Sequence, residues 1–235
     1  MTFSLIARDP ATGTLGAAVA SRFFAVGALC IHVEGGVGAV ATQALVNPLY
    51  GAHALRLLRD RQDPASIVAA LVDPDPGRAQ RQLHVIDAVG RIAQHTGQDC
   101  VTWAGHAGGA DCSAAGNMLA GPAVIEAMVE GFAHATGDLA QRLMAALEAG
   151  EAQGGDKRGR QSAALKICIA DSYTDLDLRA DDHPDPLGEL RRLYRVSREH
   201  YAIFRDFLAG SRNPWGETDR RVIEAAIEGR APDPE

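Results

Sequence analysis

The chain has 235 residues, 46% hydrophobic and 23% charged, and a formal net charge of −7. Its length and soluble-type composition leave room for a sizeable core in one or two domains, and the acidic balance argues against a nucleic-acid partner held by broad phosphate neutralisation. The opening MTFSLIARDP lacks the basic and apolar regions of a secretory signal, and no window reaches the roughly 18 apolar residues of a membrane span; a cytoplasmic protein with no membrane partner is expected.

In chain order, Phe3–Ala7 and Leu15–Ala20 are short apolar runs joined by the turn Asp9-Pro10-Ala11-Thr12-Gly13, which predicts a hairpin. Leu29–Val33 and Val37–Ala41 flank Glu34-Gly35-Gly36 and predict a second hairpin. Four strands in succession suggest one antiparallel sheet. Asn47-Pro48 and Asp63-Pro64 are helix starts, the second followed by Ile67, Val68, Leu71 and Val72 at helical spacing. Strands return at Leu83–Ile86 and Ile92-Ala93, and the Gly-rich stretch Trp103–Asn117 reads as strand and loop. Val124, Ile125, Met128, Val129 and Phe132 mark a helix; Leu139, Leu143, Ala146 and Leu147 mark the next, closed by Gly150. Ala163–Ile169 and the alternating Asp175–Asp181 read as strands, and one long amphipathic helix is expected from Leu187 to Leu208. Hairpins alternating with paired helices favour an α+β fold of stacked antiparallel sheets under helix layers over a doubly wound parallel sheet. The domain is placed at 1–209, and 210–235 is read as an appended tail.

Several groups carry potential chemistry. A threonine at a new N-terminus brings its own base, because its α-amine has an ordinary pKa of about 7.7–8.0; removal of Met1 would expose Thr2 in this way. The loop Gly154–Ser162 (GGDKRGRQS) gathers Asp156, Arg158 and Arg160 on a glycine-rich backbone and runs into a strand. Guanidinium forks suit a carboxylate or phosphate; a solvated basic loop is the plain alternative. Arg22, ending the second strand, either neutralises a ligand near Thr2 or lies on the surface. Gln43, Asn47 and Asn117 are amides able to serve a developing oxyanion; Asn47 is equally an ordinary N-cap, and Asn117 a buried amide in a turn. His106 is a candidate acid or base, though a lone histidine is more often structural. Asp175, Asp177, Asp181 and Asp182 with His183 form an acidic stretch whose adjacent carboxylates and imidazole are a candidate divalent-metal set, but the stretch fails the EF-hand pattern; structural roles are the first reading there, and no metal or cofactor is assigned. Cys30, Cys100, Cys112 and Cys168 form no CxxC pair and read as buried thiols. Neither G-x-S-x-G nor G-x-G-x-x-G occurs, which removes the support for an α/β-hydrolase elbow or a dinucleotide fold.

Six stretches together carry a family resemblance: TFSLIARDPATGTLGAAVASRFFAVG, GVGAVATQALVNPLYG, WAGHAGG, GNMLAGPAV, GGDKRGRQSAAL and DLRADDHPDPLGELRRL. They resemble the bacterial family known as domain of unknown function 1028, within the N-terminal-nucleophile hydrolase-like superfamily. The resemblance implies a four-layer αββα sandwich and places Thr2 at the superfamily's nucleophile position. Some members carry a C-terminal peptidoglycan-binding module, for which the tail here is too short. The expected function is hydrolysis of an amide or related C–N bond in a small anionic substrate, with Thr2, Gln43, Asn47 and Asn117 in catalysis and Arg22, Asp156, Arg158 and Arg160 in substrate binding. The rival readings are a non-covalent, cyclohydrolase-like enzyme or small-ligand binder on the same fold, and an interaction protein. A homo-oligomer, taken as a dimer, is expected through the long helix.

Overall fold

The computed structural model describes residues 2–229. Met1, on whose removal the Thr2 reading depends, and 230–235, the end of the expected tail, lie outside the described residues. The chain divides into two compact units, Met1–Leu190 and Arg191–Glu235.

The first unit holds ten strands in two antiparallel sheets. The strands are β1 (Thr2–Arg8), β2 (Leu15–Ser21), β3 (Ile31–Glu34), β4 (Gly38–Ala44), β5 (Arg81–Asp87), β6 (Ile92–Thr96), β7 (Gly105–Gly109), β8 (Cys112–Asn117), β9 (Ser162–Cys168) and β10 (Leu176–Ala180). One sheet has the order β10-β9-β2-β1-β8-β7, the other β3-β4-β5-β6. A short helical turn, α1 (Gly27–Cys30), leads into β3; α2 (Leu49–Arg59) and α3 (Pro64–Val72) cover the four-stranded sheet, and α4 (Ala123–His134) and α5 (Leu139–Ala152) cover the six-stranded one. The sheets meet face to face through β1 with β4, β2 with β3 and β5 with β8. The result is a four-layer αββα sandwich.

The two N-terminal hairpins do not share a sheet, as their succession suggested. The segment from Arg22 through α1 carries the chain across to the facing sheet, and β2 pairs with β9 instead. Turn residues specify the local hairpins; the long-range partner is set by the faces. Ile6, Ala17, Val19, Ala39, Ala41, Ile86 and Ala164 interlock between the sheets, whereas Val40, Leu83 and Val85 point outward against Ala54, Leu55, Leu58 and Ile67 under α2 and α3. β1 is a central strand buried on both faces, which is why its sequence is a continuous apolar run. Phe3 and Leu5, fully buried, each contribute about 1.5–3 kcal/mol by leaving water.

The start of α3 follows its sequence signal, whereas α2 begins one residue later than expected, at Leu49, with Pro48 at the cap and no side-chain cap bond. Asp63 caps α3 through the Ala65 and Ser66 N–H groups with Pro64 in the first turn, and Asp138 with Gln141 forms a capping box on α5. Gly150, expected to close α5, lies inside it; a Cβ there would stand 2.7 Å from Met128 Cγ, so this glycine permits α5 to approach α4. The expected helix over Leu187–Leu208 is two, α6 (Pro186–Arg198) and α7 (Tyr201–Arg205). Ser197 Oγ donates to the Tyr194 carbonyl at 2.7 Å close to where α6 stops, a local bond that competes with the helix ladder. The second unit also contains α8 (Arg220–Gly229). No helix among the described residues is long and apolar enough to cross a membrane.

Candidate functional site

The space between the sheets is apolar at one end and polar at the other. Along β1, Ile6 lies in the apolar cluster; Ser4 and Thr2, two and four residues earlier, share its face because strand side chains alternate. The register places Thr2 opposite Asn117 of β8 and Ser21 of β2, and Ser21 opposite Ser162 of β9. Asn117, Thr2, Ser21 and Ser162 therefore form a polar row across four neighbouring strands, at the edge of the sandwich where β1 begins. The Arg8 N–H donates to the Asp111 carbonyl at 2.9 Å, and bonded pairs alternate along an antiparallel ladder. Thr2 is thus in the bonded register with Asn117 and in the closer, non-bonded register with Ser21. Consistently, Thr2 Oγ1 and Ser21 Oγ are 3.2 Å apart. Thr2 is 8% exposed, so its hydroxyl sits just under the surface.

Beneath this row runs a hydrogen-bonded network through both sheets. Gln43, Gln82 and Thr96 are aligned across β4, β5 and β6, with Ala41, His84 and Gln94 one row deeper. A single assignment of hydrogens satisfies every bond. Gln94 Nε2 donates to Ser113 Oγ at 2.7 Å, Ser113 Oγ to His84 Nδ1 at 2.8 Å and His84 Nε2 to Ser4 Oγ at 2.9 Å. Ser4 Oγ donates to Gln43 Oε1 at 2.7 Å, and Gln43 Nε2 to Gln82 Oε1 at 3.1 Å. Asn117 Nδ2 donates to the same Gln82 oxygen at 2.9 Å. Gln82 Nε2 donates to the Gly116 carbonyl at 2.7 Å and Thr96 Oγ1 at 3.0 Å, and Thr96 Oγ1 to His106 Nδ1 at 2.8 Å. The direction of the chain requires a neutral His84 with its proton on Nε2. Burial, reinforced by nearby His106, pushes the His84 pKa down to about 3, which keeps it neutral. Burial also lowers the His106 pKa. Two strained residues flank the amides: Ala44 and Met118, immediately after Gln43 and Asn117, have φ of +69° and +55°. Left-handed conformations at non-glycine residues cost about 1–3 kcal/mol and cluster at functional sites.

The Arg-rich loop lies at the same end of the sandwich, since the Gln161 N–H donates to the Ser21 carbonyl at 3.1 Å. Its centre is the buried Asp156 carboxylate, which accepts the Arg22 N–H at 2.8 Å, the Arg158 N–H at 2.7 Å and the Arg158 guanidinium at 3.2 Å. Asp156 is thus the brace of the loop. Arg160 bridges Glu151 at 2.5 Å and Asp185 at 3.0 Å. Arg22 Nη1 donates to the Arg158 carbonyl at 2.7 Å; among the described residues no carboxylate lies within ion-pair distance of it. Arg22, Arg160, Gln161, Asp182, His183 and Pro184 line an open dish of about 420 Å³. Thr2 is not among its lining residues.

The other sequence candidates are dispersed. Asn47 sits at the start of α2, its Oδ1 accepting the Leu49 N–H at 3.2 Å, apart from the Gln43–Gln82–Asn117 cluster. In the acidic stretch, Asp175 accepts the Ile169 N–H, Asp177 pairs with Lys166, Asp181 with Arg179, and Asp182 accepts from Gln161. Among the described residues no three His, Cys, Asp or Glu gather to hold a metal. All four cysteines are buried; burial pushes Cys30 up to about 12 and Cys112 to about 11, which removes their thiolates at neutral pH. Sequence reasoning missed Ser4, Gln82, His84 and Ser113. The available signal was the spacing of Gln82, His84 and Ile86, which places two polar groups on the face that β5 turns toward the other sheet.

The solved structure of protein SPO2555 from Silicibacter pomeroyi, a member of family DUF1028, is similar to this chain with 33% identity and a TM-score of 0.86, covering 93% of this chain and 99% of its own. Anbu, the ancestral beta-subunit from Yersinia bercovieri, matches with 16% identity and a TM-score of 0.40 over 88% of this chain and 98% of its own. No curated protein matches. The model of the "Family of unknown function (DUF1028)" matches residues 2–190, the span of the αββα sandwich, and the chain belongs to that family.

Proposed function

We propose that this protein is an N-terminal-nucleophile hydrolase acting on an amide or related C–N bond of a small anionic substrate, with Thr2 as the nucleophile after removal of Met1. The observation that carries the reading is the placement of Thr2: it opens a central strand, at the polar edge of the inter-sheet space, between Ser21 and Asn117. In the proposed reaction Thr2 Oγ1 attacks the substrate carbonyl and its proton passes to the Thr2 α-amine. The C–N bond breaks, the amine product leaves with that proton, and an ester remains on Thr2. Water then attacks the ester and releases the acid. Gln43 and Asn117, each with one amide N–H uncommitted among the described residues, are the donors assigned to the developing oxyanion; Asn47, whose Oδ1 accepts the Leu49 N–H, keeps its Nδ2 donors but stands outside the bonds that tie Gln43 and Asn117 to Gln82. Arg22 is the guanidinium best suited to the substrate's anionic group, because Arg158 and Arg160 already face carboxylates. The test is intact mass to establish Met1 removal, followed by comparison of Thr2→Ala with wild type on a panel of amide substrates. Equal turnover would remove the mechanism.

A second reading rests on the dish: its lining includes Arg22, Gln161 and His183 but not Thr2. On that reading the protein binds a small anion without covalent chemistry. Ligand affinity would then survive Thr2→Ala and fall with Arg22→Ala. A homodimer remains part of the proposal, as does a cytoplasmic location. Sedimentation velocity should give twice the 24.8 kDa chain mass; a monomer at micromolar concentration would remove the dimer.

A further inference from the structure

Gln82 is fully buried, and every hydrogen-bonding position on its side chain is used. Its Oε1 accepts from both Gln43 Nε2 and Asn117 Nδ2, and its Nε2 is held by Gly116, Thr96 and Gly105, the last at 3.2 Å. Each primary amide has two N–H donors. Among the described residues, Gln43 and Asn117 each commit one donor, both to the same oxygen. Gln43 comes from one sheet and Asn117 from the other, and Asn117 lies directly opposite Thr2. The convergence also fixes which end of each amide is nitrogen: exchanging O and N in Asn117 would set two carbonyl oxygens against each other.

We propose that Gln82 is the positioning residue of this site: one side-chain oxygen ties the amides of Gln43 and Asn117 together across the two sheets, so that each keeps one N–H for a ligand oxygen beside Thr2. The inference rests on the hydrolase reading above for what that oxygen is, the oxyanion of acyl transfer. Such donors act only if held where charge develops, and a side-chain amide that is free to flip is not held.

The test uses the full chain with Met1 removed, reacted with a phenyl-substituted β-lactone that acylates an N-terminal hydroxyl. Intact mass follows the adduct and gives the maximal rate constant and the half-saturating concentration. Gln82→Met keeps the volume and removes the bonds. The maximal rate should fall at least tenfold with the half-saturating concentration within about twofold, and Gln82→Glu, which retains the acceptor oxygen, should recover part of the loss. Combining Gln82→Met with Asn117→Ala should slow the reaction by less than the product of the two single losses, because the two share the Asn117–Gln82 contact while the Gln43 contact is lost only with Gln82. Wild-type rates in Gln82→Met, or losses that multiply in the double variant, would overturn the proposal. The side-chain amide ¹H–¹⁵N spectrum supplies a readout independent of reactivity. Wild type should show two well-separated Asn117 Nδ2 hydrogens, the one bonded to Gln82 exchanging slowly, and an ordinary pair that both exchange rapidly would overturn the proposal even if the Met variant does not fold. If Thr2 in wild type takes no acyl group, the hydrolase reading fails and this spectrum alone decides the role of Gln82.

Discussion

Thr2 and Ser21 are brought within 3.2 Å by strand register, and the same register sets Asn117 on the other flank. None of this depends on loop conformation, so the geometry around Thr2 is as rigid as the sheet. Deeper in the network, His84 makes a prediction about acid stability. Its folded pKa, about 3, lies below the ordinary histidine value of about 6.5. Between these values the unfolded chain binds a proton that the folded protein excludes, so stability falls as pH drops from about 6.5, by about 1.4 kcal/mol per unit for this group. Thermal melts of His84→Gln from pH 6.5 to 4 should show a shallower decline than wild type; parallel curves would mean that His84 is not excluded from protonation. Of these residues, Thr2, Gln43 and Asn117 were legible in the sequence as candidates. Gln82 and His84 were not, because their role comes from a facing sheet that no local pattern identifies.

At the scale of elements, capping residues and apolar periodicity foretold most helices and strands. The misses have specific causes. Gly150 carries a stop signal in isolation, but here it relieves contact between two packed helices. Gly150→Val should cost about 1–3 kcal/mol through overpacking against Met128, measured as a lower denaturation midpoint at unchanged slope; an unchanged midpoint would show that Met128 moves aside freely. The helix expected over Leu187–Leu208 breaks near Ser197, whose hydroxyl turns back on the chain. The Gly154–Ser162 loop was rightly read as a basic segment entering a strand, but its charges are spent differently. Asp156, read as a binding residue, braces the loop internally. Asp156→Ala leaves the Arg22 and Arg158 N–H groups without their acceptor and should cost about 1–3 kcal/mol while loosening the position of Arg22. Hydrogen exchange at those two amides would report it, and unchanged protection would contradict the bracing role.

At the scale of the whole molecule, the αββα sandwich separates two tasks. The end of the inter-sheet layer around Ile6, Ala39 and Ile86 is apolar and supplies core stability. The end around Thr2, Gln43, Gln82 and Asn117 is polar, each buried side-chain N or O atom having at least one hydrogen-bond partner among the described residues, and suited to chemistry. A satisfied interior network of this kind specifies a unique arrangement, whereas an incomplete one would be costly. Fold class was legible because hairpins and paired helices leave few ways to bury their faces; which hairpin joined which sheet was not. The central claim is that residue 2 is an unblocked nucleophile, and the most direct measurement is tandem mass spectrometry of the purified chain after treatment with the acylating β-lactone. The account predicts that Met1 is gone, that a single acyl group sits on Thr2, and that Thr2→Ala carries none while Thr2→Ser is labelled. Retention of Met1 on protein from its native host, or an equal adduct on Thr2→Ala, would contradict it.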